Sequence, residues 1–340
     1  MRAMKVISLP IAIVLLTTML TVPSSAIVIR HDLDPGIYGA QGSEYPSVMT
    51  FLWPAEEGTA ETASLSATLL SRDWAVTAAH GADEFAQRTL RIEVAGVIYE
   101  DVSFDLWLPH PCFDDAQGDH DIGLVHFPDP PWPAMDSYPQ LYREDDELGK
   151  VVVFVGRGAP GTGEDGSDGD VAGGPFRNAT NTIDHVDGAT IGFTFNAPEE
   201  AESSPLEGIS GDGDSGGPAF MCGELSLDPL GRISCSMGLK LLGVSSYQDR
   251  LADDDSIGVY GVTERYTRVS THRAWIESTM ASRRAGACSE AMLEHEVSGR
   301  TAEQTGPGGC QGSSQPPLAA LLLLICAQWI RRKAPQTCRV

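Results

Sequence analysis

The string Gly211-Asp212-Gly213-Asp214-Ser215-Gly216-Gly217-Pro218 narrows what this chain can be more than any other stretch. Its glycines permit positive φ and let backbone N–H groups come close to a bound group. Its serine is a weak nucleophile at neutral pH, useful only with a base to take its proton and fixed donors to hold an oxyanion. A solvent-facing turn has much the same composition, but Asp-Ser-Gly-Gly-Pro is a far rarer string than a generic turn. The rest of the sequence must therefore be searched for a base and for a group to orient it.

Both occur upstream. Trp74-Ala75-Val76-Thr77-Ala78-Ala79-His80 is a β-prone apolar run ending in small residues and a histidine, which suits a base held at the end of a buried strand. Asp121-Ile122-Gly123-Leu124-Val125 sets a carboxylate just before another apolar strand, where it can fix one imidazole tautomer. Taken singly these are ordinary: a lone histidine is most often a satisfied or surface residue, and an aspartate before a strand is usually a turn. In the order His, Asp, Ser they resemble the chymotrypsin/trypsin family. Ser66-Ala67-Thr68-Leu69-Leu70 is similar to that family's Gly-Gly-Ser-Leu-Ile strand, and Tyr45-Pro46-Ser47-Val48 to its Tyr-Pro-Trp-Val. Leu242-Gly243-Val244-Ser245-Ser246-Tyr247 resembles the strand after the nucleophile, and Tyr266-Thr267-Arg268-Val269 with Trp275-Ile276 the last strand and closing helix. The likeness covers about residues 27–285.

The resemblance implies an all-β fold, two antiparallel six-stranded Greek-key β-barrels with a C-terminal helix and the site in the cleft between them. It implies His80 as general base, Asp121 as its orienter, Ser215 as nucleophile, and the N–H groups of Gly213 and Ser215 as oxyanion hole. Ser246 would support the aspartate and Tyr247 would line the substrate cleft. A new terminus at Ile27-Val28 would fold inward and pair its ammonium with Asp214. Here, though, Ile29-Arg30 replaces the usual Gly-Gly, and the interval to Pro46 is longer than in the family. The base of the primary specificity pocket falls on Ile209, which offers a basic side chain no counter-charge. Glu264, on the opposite wall, would offer one. Basic, aromatic and small apolar substrates all stay open.

The rest of the chain is consistent with an exported protein. Residues 1–26 carry Arg2 and Lys5, an apolar middle and Ser24-Ser25-Ala26, the pattern of a signal peptide whose cleavage exposes Ile27; an uncleaved membrane anchor is the alternative. A net charge of −24 argues against nucleic acid and against adsorption to anionic membranes. Export implies an oxidising compartment for the 7 cysteines. The family's bridge around the histidine is missing, since Leu65 and Gly81 stand in its places. Cys222–Cys235 is expected to close a hairpin and Cys112–Cys288 to pair across the domain. Residues 286–317 read as a polar linker. Residues 318–340 begin with an apolar run followed by Arg331-Arg332-Lys333, a membrane-directed pattern. With Gly308-Gly309-Cys310 this tail resembles bacterial Gly-Gly and Myxo-type sorting signals.

Within the domain, β-prone runs at 48–53, 68–70, 74–77 and 90–99 alternate with Gly, Pro and acidic turns, and residues 128–139 form a proline-rich connector. Residues 158–174 read as a long flexible loop whose Asp165, Asp168 and Asp170 lack calcium-loop spacing. Asn178-Ala179-Thr180 fits a glycosylation acceptor. Asp114, Asp115, Asp119, His120 and His126 lack fixed ligand spacing and read as solvated loop residues, so no metal and no cofactor is expected. The expected partners are protein or peptide substrates, with membrane contact only through the C-terminal segment, and the expected state is a monomer. The competing readings are a catalytically inactive binding protein on the same fold and an esterase using the same serine.

Overall fold

The structure is a computed structural model that describes residues 27–52, 63–81, 90–168, 175–249, 251 and 256–289. The chain divides into two compact units, Met1–Ser298 and Gly299–Val340, and all described residues lie in the first. The signal peptide, most of the linker and the C-terminal segment expected from the sequence fall outside them. Among the described residues no helix is long and apolar enough to cross a membrane.

Two large sheets make the fold. The first contains β2 (Val48–Leu52), β3 (Ala63–Leu69), β4 (Trp74–Thr77), β5 (Leu90–Val94), β6 (Val97–Val102), β7 (Leu106–Pro109) and β8 (Gly123–His126). They pair antiparallel in the order β6-β5-β2-β3-β4-β8-β7. The second contains β9 (Gln140–Leu141), β10 (Val151–Gly156), β13 (Arg177–Thr182), β14 (His185–Asp187), β15 (Thr190–Thr194), β17 (Pro218–Leu227), β18 (Ile233–Gln248) and β19 (Thr263–Arg268). Its order is β13-β10-β17-β18-β19-β15-β14, with β9 parallel to β18. In both sheets the non-sequential neighbours mark Greek-key crossovers, and each sheet curls as expected of a two-barrel fold. The strands number seven and eight rather than six and six because the short pieces β7 and β14 add to the edges and β9 pairs with part of β18.

The sequence pattern explains the layers. In β4, Ala75 packs into the interior of the first sheet with Met49, Phe51 and Val125. Its neighbours Trp74 and Val76 point to the opposite face and join Phe154, Val155, Phe220 and Tyr266. Both faces of the strand are covered, so it reads as a continuous apolar run rather than an alternation. The expected run at 90–99 is in fact a hairpin: Ala95 and Gly96, with φ of +54° and +80°, turn the chain between β5 and β6.

A third, small sheet joins β1 (Val28–Ile29), β11 (Gly161–Thr162), β12 (Gly166–Ser167) and β16 (Gly208–Ile209), in the order β12-β11-β1-β16. Residues 158–168, expected as a flexible loop, thus carry a hairpin that clasps the segment after Ile27. Asp165 caps its own turn through Thr162, whose hydroxyl donates to it at 3.0 Å. Asn178 does not suit a glycosylation acceptor: it is 1% exposed within β13 and donates to Tyr45 Oη at 2.8 Å.

Helix α1 (Val269–Ser282) closes the fold, burying Val269, His272, Trp275, Ile276 and Thr279 along one stripe. Both expected disulfides are present, Cys222–Cys235 and Cys112–Cys288.

Candidate active site

Sheet register brings two of the expected residues together. Strands β4 and β8 are antiparallel neighbours with Thr77 opposite Gly123, so His80 and Asp121 lie just beyond the same end of the pair. His80 Nδ1 stands 2.7 Å from Asp121 Oδ2, and the His80 backbone N–H donates to Oδ1 at 2.9 Å. Asp121 can only accept as a carboxylate, so Nδ1 carries the proton and Nε2 is left with its lone pair. Ser246, from β18, donates to Asp121 Oδ2 at 2.6 Å, and Thr267 Oγ1 donates to the Asp121 carbonyl at 2.7 Å. Burial by itself would raise this carboxyl, but the hydrogen bonds from His80 and Ser246 and the nearby imidazole hold it below its ordinary value. His80, Asp121, Ser246 and Tyr247 line an open cavity of about 440 Å³.

Ser215 sits in the loop between β16 and β17. Its carbonyl accepts from Ser66 N–H at 2.7 Å, and the Ser66 carbonyl accepts in turn from Thr77 Oγ1 at 2.7 Å. Gly216 donates to the Ser245 carbonyl and Ser245 to the Gly217 carbonyl, each at 2.8 Å. The loop is thereby stitched to β3, to the segment leading to His80 and to the strand carrying Ser246. Gly216, at φ +79°, is required here, since a Cβ would stand 2.9 Å from Ala78 N and overlap Thr77 Oγ1. The Asp212 carbonyl accepts from Ala159 N–H at 2.5 Å. Because a trans peptide points its N–H opposite to its C=O, the Gly213 N–H, at φ +86°, is turned away from Ala159.

Asp214 is buried beneath this loop. Gly158 N–H donates to it at 2.6 Å and Gly211 N–H at 3.0 Å. Burial pushes its carboxyl up to about 6, against hydrogen bonds from the backbones of Gly211, Gly158, Arg157 and Ile27. The two residues joined by the resemblance, Ile27 and Asp214, therefore do meet. Ile27 is 1% exposed, its carbonyl accepts from Arg177 at 3.1 Å, and its φ is +62°. That conformation is a steric outlier for a β-branched residue.

The two pocket residues part company. Ile209 pairs with Val28 in the small sheet and packs with Phe195 and Val262. Glu264 is 1% exposed, accepts from Ser210 N–H at 2.8 Å and from Ser245 Oγ at 3.2 Å, and is pushed up to about 7, chiefly by burial. Gln248 spans the same region, donating to the Ser210 carbonyl at 2.7 Å and accepting from Gly258 N–H at 2.8 Å. Sequence reasoning passed over Gln248, Ser66 and Thr77, which act through backbone partners. Of the supposed loop residues, His126 lies in β8 against Asp105, at 2.5 Å. His120 instead gathers with His110 and His272.

Comparison with known proteins accords with this geometry. No curated protein matches the sequence. The family profile for trypsin matches residues 58–276, a span that takes in His80, Asp121 and Ser215, and the chain belongs to the trypsin family of serine proteases.

Proposed function

We propose that the protein is a secreted or surface-anchored serine endopeptidase that cleaves peptide bonds through an acyl-enzyme on Ser215. The observation that carries the reading is the His80–Asp121 contact at 2.7 Å, reinforced by Ser246. It leaves Nε2 unprotonated to take the Ser215 proton as the hydroxyl attacks, while Asp121 steadies the imidazolium that forms. The developing oxyanion is received by the N–H groups of Gly213 and Ser215. His80 then returns its proton to the leaving amine, and water, deprotonated by the same base, releases the acyl group.

The strained Ile27 supports maturation at that residue. Positive φ at a non-glycine residue costs roughly 1–3 kcal/mol, and φ exists only while a preceding residue is attached. Cleavage after Ala26 abolishes the torsion and turns the N–H facing Asp214 into an ammonium. The buried carboxylate gains an opposite charge in place of a neutral donor, which fixes the loop that presents Gly213.

The test is a serine-reactive phosphonate with the chain beginning at Ile27. Labelling of the wild type but not of Ser215→Ala, with hydrolysis of a mixed peptide library, is the expected result. Correctly started protein that takes no label is a binding protein, and turnover of simple esters with no peptide cleaved makes it an esterase.

A further inference from the structure

We propose that His110, His120 and His272 form a binding site for a divalent cation of the zinc class, clamping the segment that carries Asp121 onto α1. The three come from separate parts of the chain: His110 follows β7, His120 immediately precedes Asp121, and His272 lies in the first turn of α1. One nitrogen from each lies within 4.8 Å of the others. His120 Nδ1 and His272 Nε2 are already 2.9 Å apart. Two imidazole nitrogens on a tetrahedral zinc ion, each at about 2.0–2.1 Å, stand about 3.3 Å from each other, so this pair opens only slightly to admit the ion.

The hydrogen bonds fix which lone pairs are offered. His272 Nδ1 lies 2.7 Å from the Arg268 carbonyl, which can only accept, so Nδ1 holds the proton and Nε2 faces the cluster unprotonated. A backbone carbonyl on the remote nitrogen is the usual outer support of a metal-bound histidine. The proton between His272 and His120 therefore belongs to His120 Nδ1. A cation takes the place of that one proton, which moves by way of solvent to His120 Nε2 so that the ring stays a neutral imidazole, and no redox partner is involved. His110, whose ring lies stacked on that of His120 with centroids 4.8 Å apart, must turn to aim a lone pair at the ion, and in doing so gives up a long 3.2 Å hydrogen bond from Cys112 N–H.

Two further features point the same way. His110 and His272 are 3% and 2% exposed, and the edge of Trp275 closes the cluster, its ring 4.8 Å from that of His110. Such an imidazole-only donor set suits zinc and its borderline neighbours rather than calcium or magnesium. His120 also holds φ at +53°, an uncommon setting for a side-chain-bearing residue, retained where it brings the ring into the cluster. The loop acids Asp114, Asp115 and Asp119 are not part of the group.

The experiment is titration of the full Ser215→Ala chain with Co²⁺, then Zn²⁺, followed by visible absorption and calorimetry. None of these readouts depends on catalysis, so failure of the protease reading leaves the result interpretable. One equivalent of Co²⁺ with the bands of a tetrahedral nitrogen site, displaced by Zn²⁺ and accompanied by a rise in Tm, is expected. His110→Gln and His120→Asn should each weaken binding at least about tenfold, the asparagine because it tolerates the left-handed turn while removing the imidazole. A His80→Ala chain should bind undiminished. The proposal is overturned if the wild type binds no Zn²⁺ in the micromolar range, if both cluster variants bind as tightly as the parent, or if binding disappears with His80.

Discussion

His80 and Asp121 stand at the ends of two strands that pair directly with each other, whereas Ser215 and Asp214 stand in a loop held by contacts from β3, β18, the segment after β10 and the strand behind Ile27. The acid–base half of the site is a product of register: once Thr77 faces Gly123, its two side chains have little choice but to meet. The nucleophile half has no ladder of its own, and its shape depends on a residue near the chain's start reaching a buried carboxylate. The first half is thus built as the barrel folds, and under the maturation proposed at Ile27 the second would depend on how the chain is processed. Such a division would separate folding from activation within one domain.

Removing the orienting carboxylate should break the acid–base half most severely. Asp121→Asn is expected to lower kcat by about 10⁴, because the amide favours the wrong imidazole tautomer while leaving its position unchanged. Rates over a pH series with a chromogenic peptide would check it, and a loss below about tenfold would mean that His80 is oriented by something else.

Next comes the nucleophile half. A chain retaining two residues before Ile27 should lose roughly 10²–10³ in kcat/KM, the scale of losing an oxyanion donor. Its His80 Nδ1–H proton resonance should stay where it is in the mature chain. Equal activity of both forms would show that the loop needs no free terminus.

Ser246→Ala sharpens the comparison from the other side. It deletes one hydrogen bond to Asp121, worth about 1 kcal/mol, and should slow turnover roughly fivefold without moving Tm by more than a degree or two.

The most diagnostic effect is on stability against pH. Asp214 and Glu264 both have folded values raised above their ordinary ones, to about 6 and about 7. Groups shifted in this direction favour the fold while protonated, and that contribution fades as pH rises through 6 to 7. A Ser215→Ala chain with its leader retained should therefore be more stable at pH 5 than at pH 8, by on the order of 2–3 kcal/mol in urea unfolding. A start at Ile27 should remove the share of Asp214, whose carboxylate then has a cation beside it, and leave that of Glu264. Identical pH profiles for the two chains would argue against the ammonium pairing.

Much of both halves was legible in the chain itself. Small residues before His80, an apolar run after Asp121 and a serine among glycines are local patterns, and local patterns survive in a linear string. The Cys222–Cys235 bridge was readable for the same reason, since it closes a short segment. The hairpin in 158–168, the burial of Asn178 and the split of 90–99 were missed. Their conformations depend on neighbours that the string does not name: the clasp around Val28, Tyr45 beneath Asn178, and a turn that Ala95 takes against its own preference.

The sequence by itself determined the chemistry on offer: a hydroxyl in a glycine-rich turn, an imidazole and a carboxylate at strand ends, and the family to which they belong. Only the tertiary structure decided the partnerships that the string leaves open, namely Glu264 with Ser210 instead of solvent, and three histidines from three segments at one point. The reason is physical. Residue type and spacing fix what a short piece of backbone can do, while contact between distant pieces is set by strand register and by which side chains burial forces together.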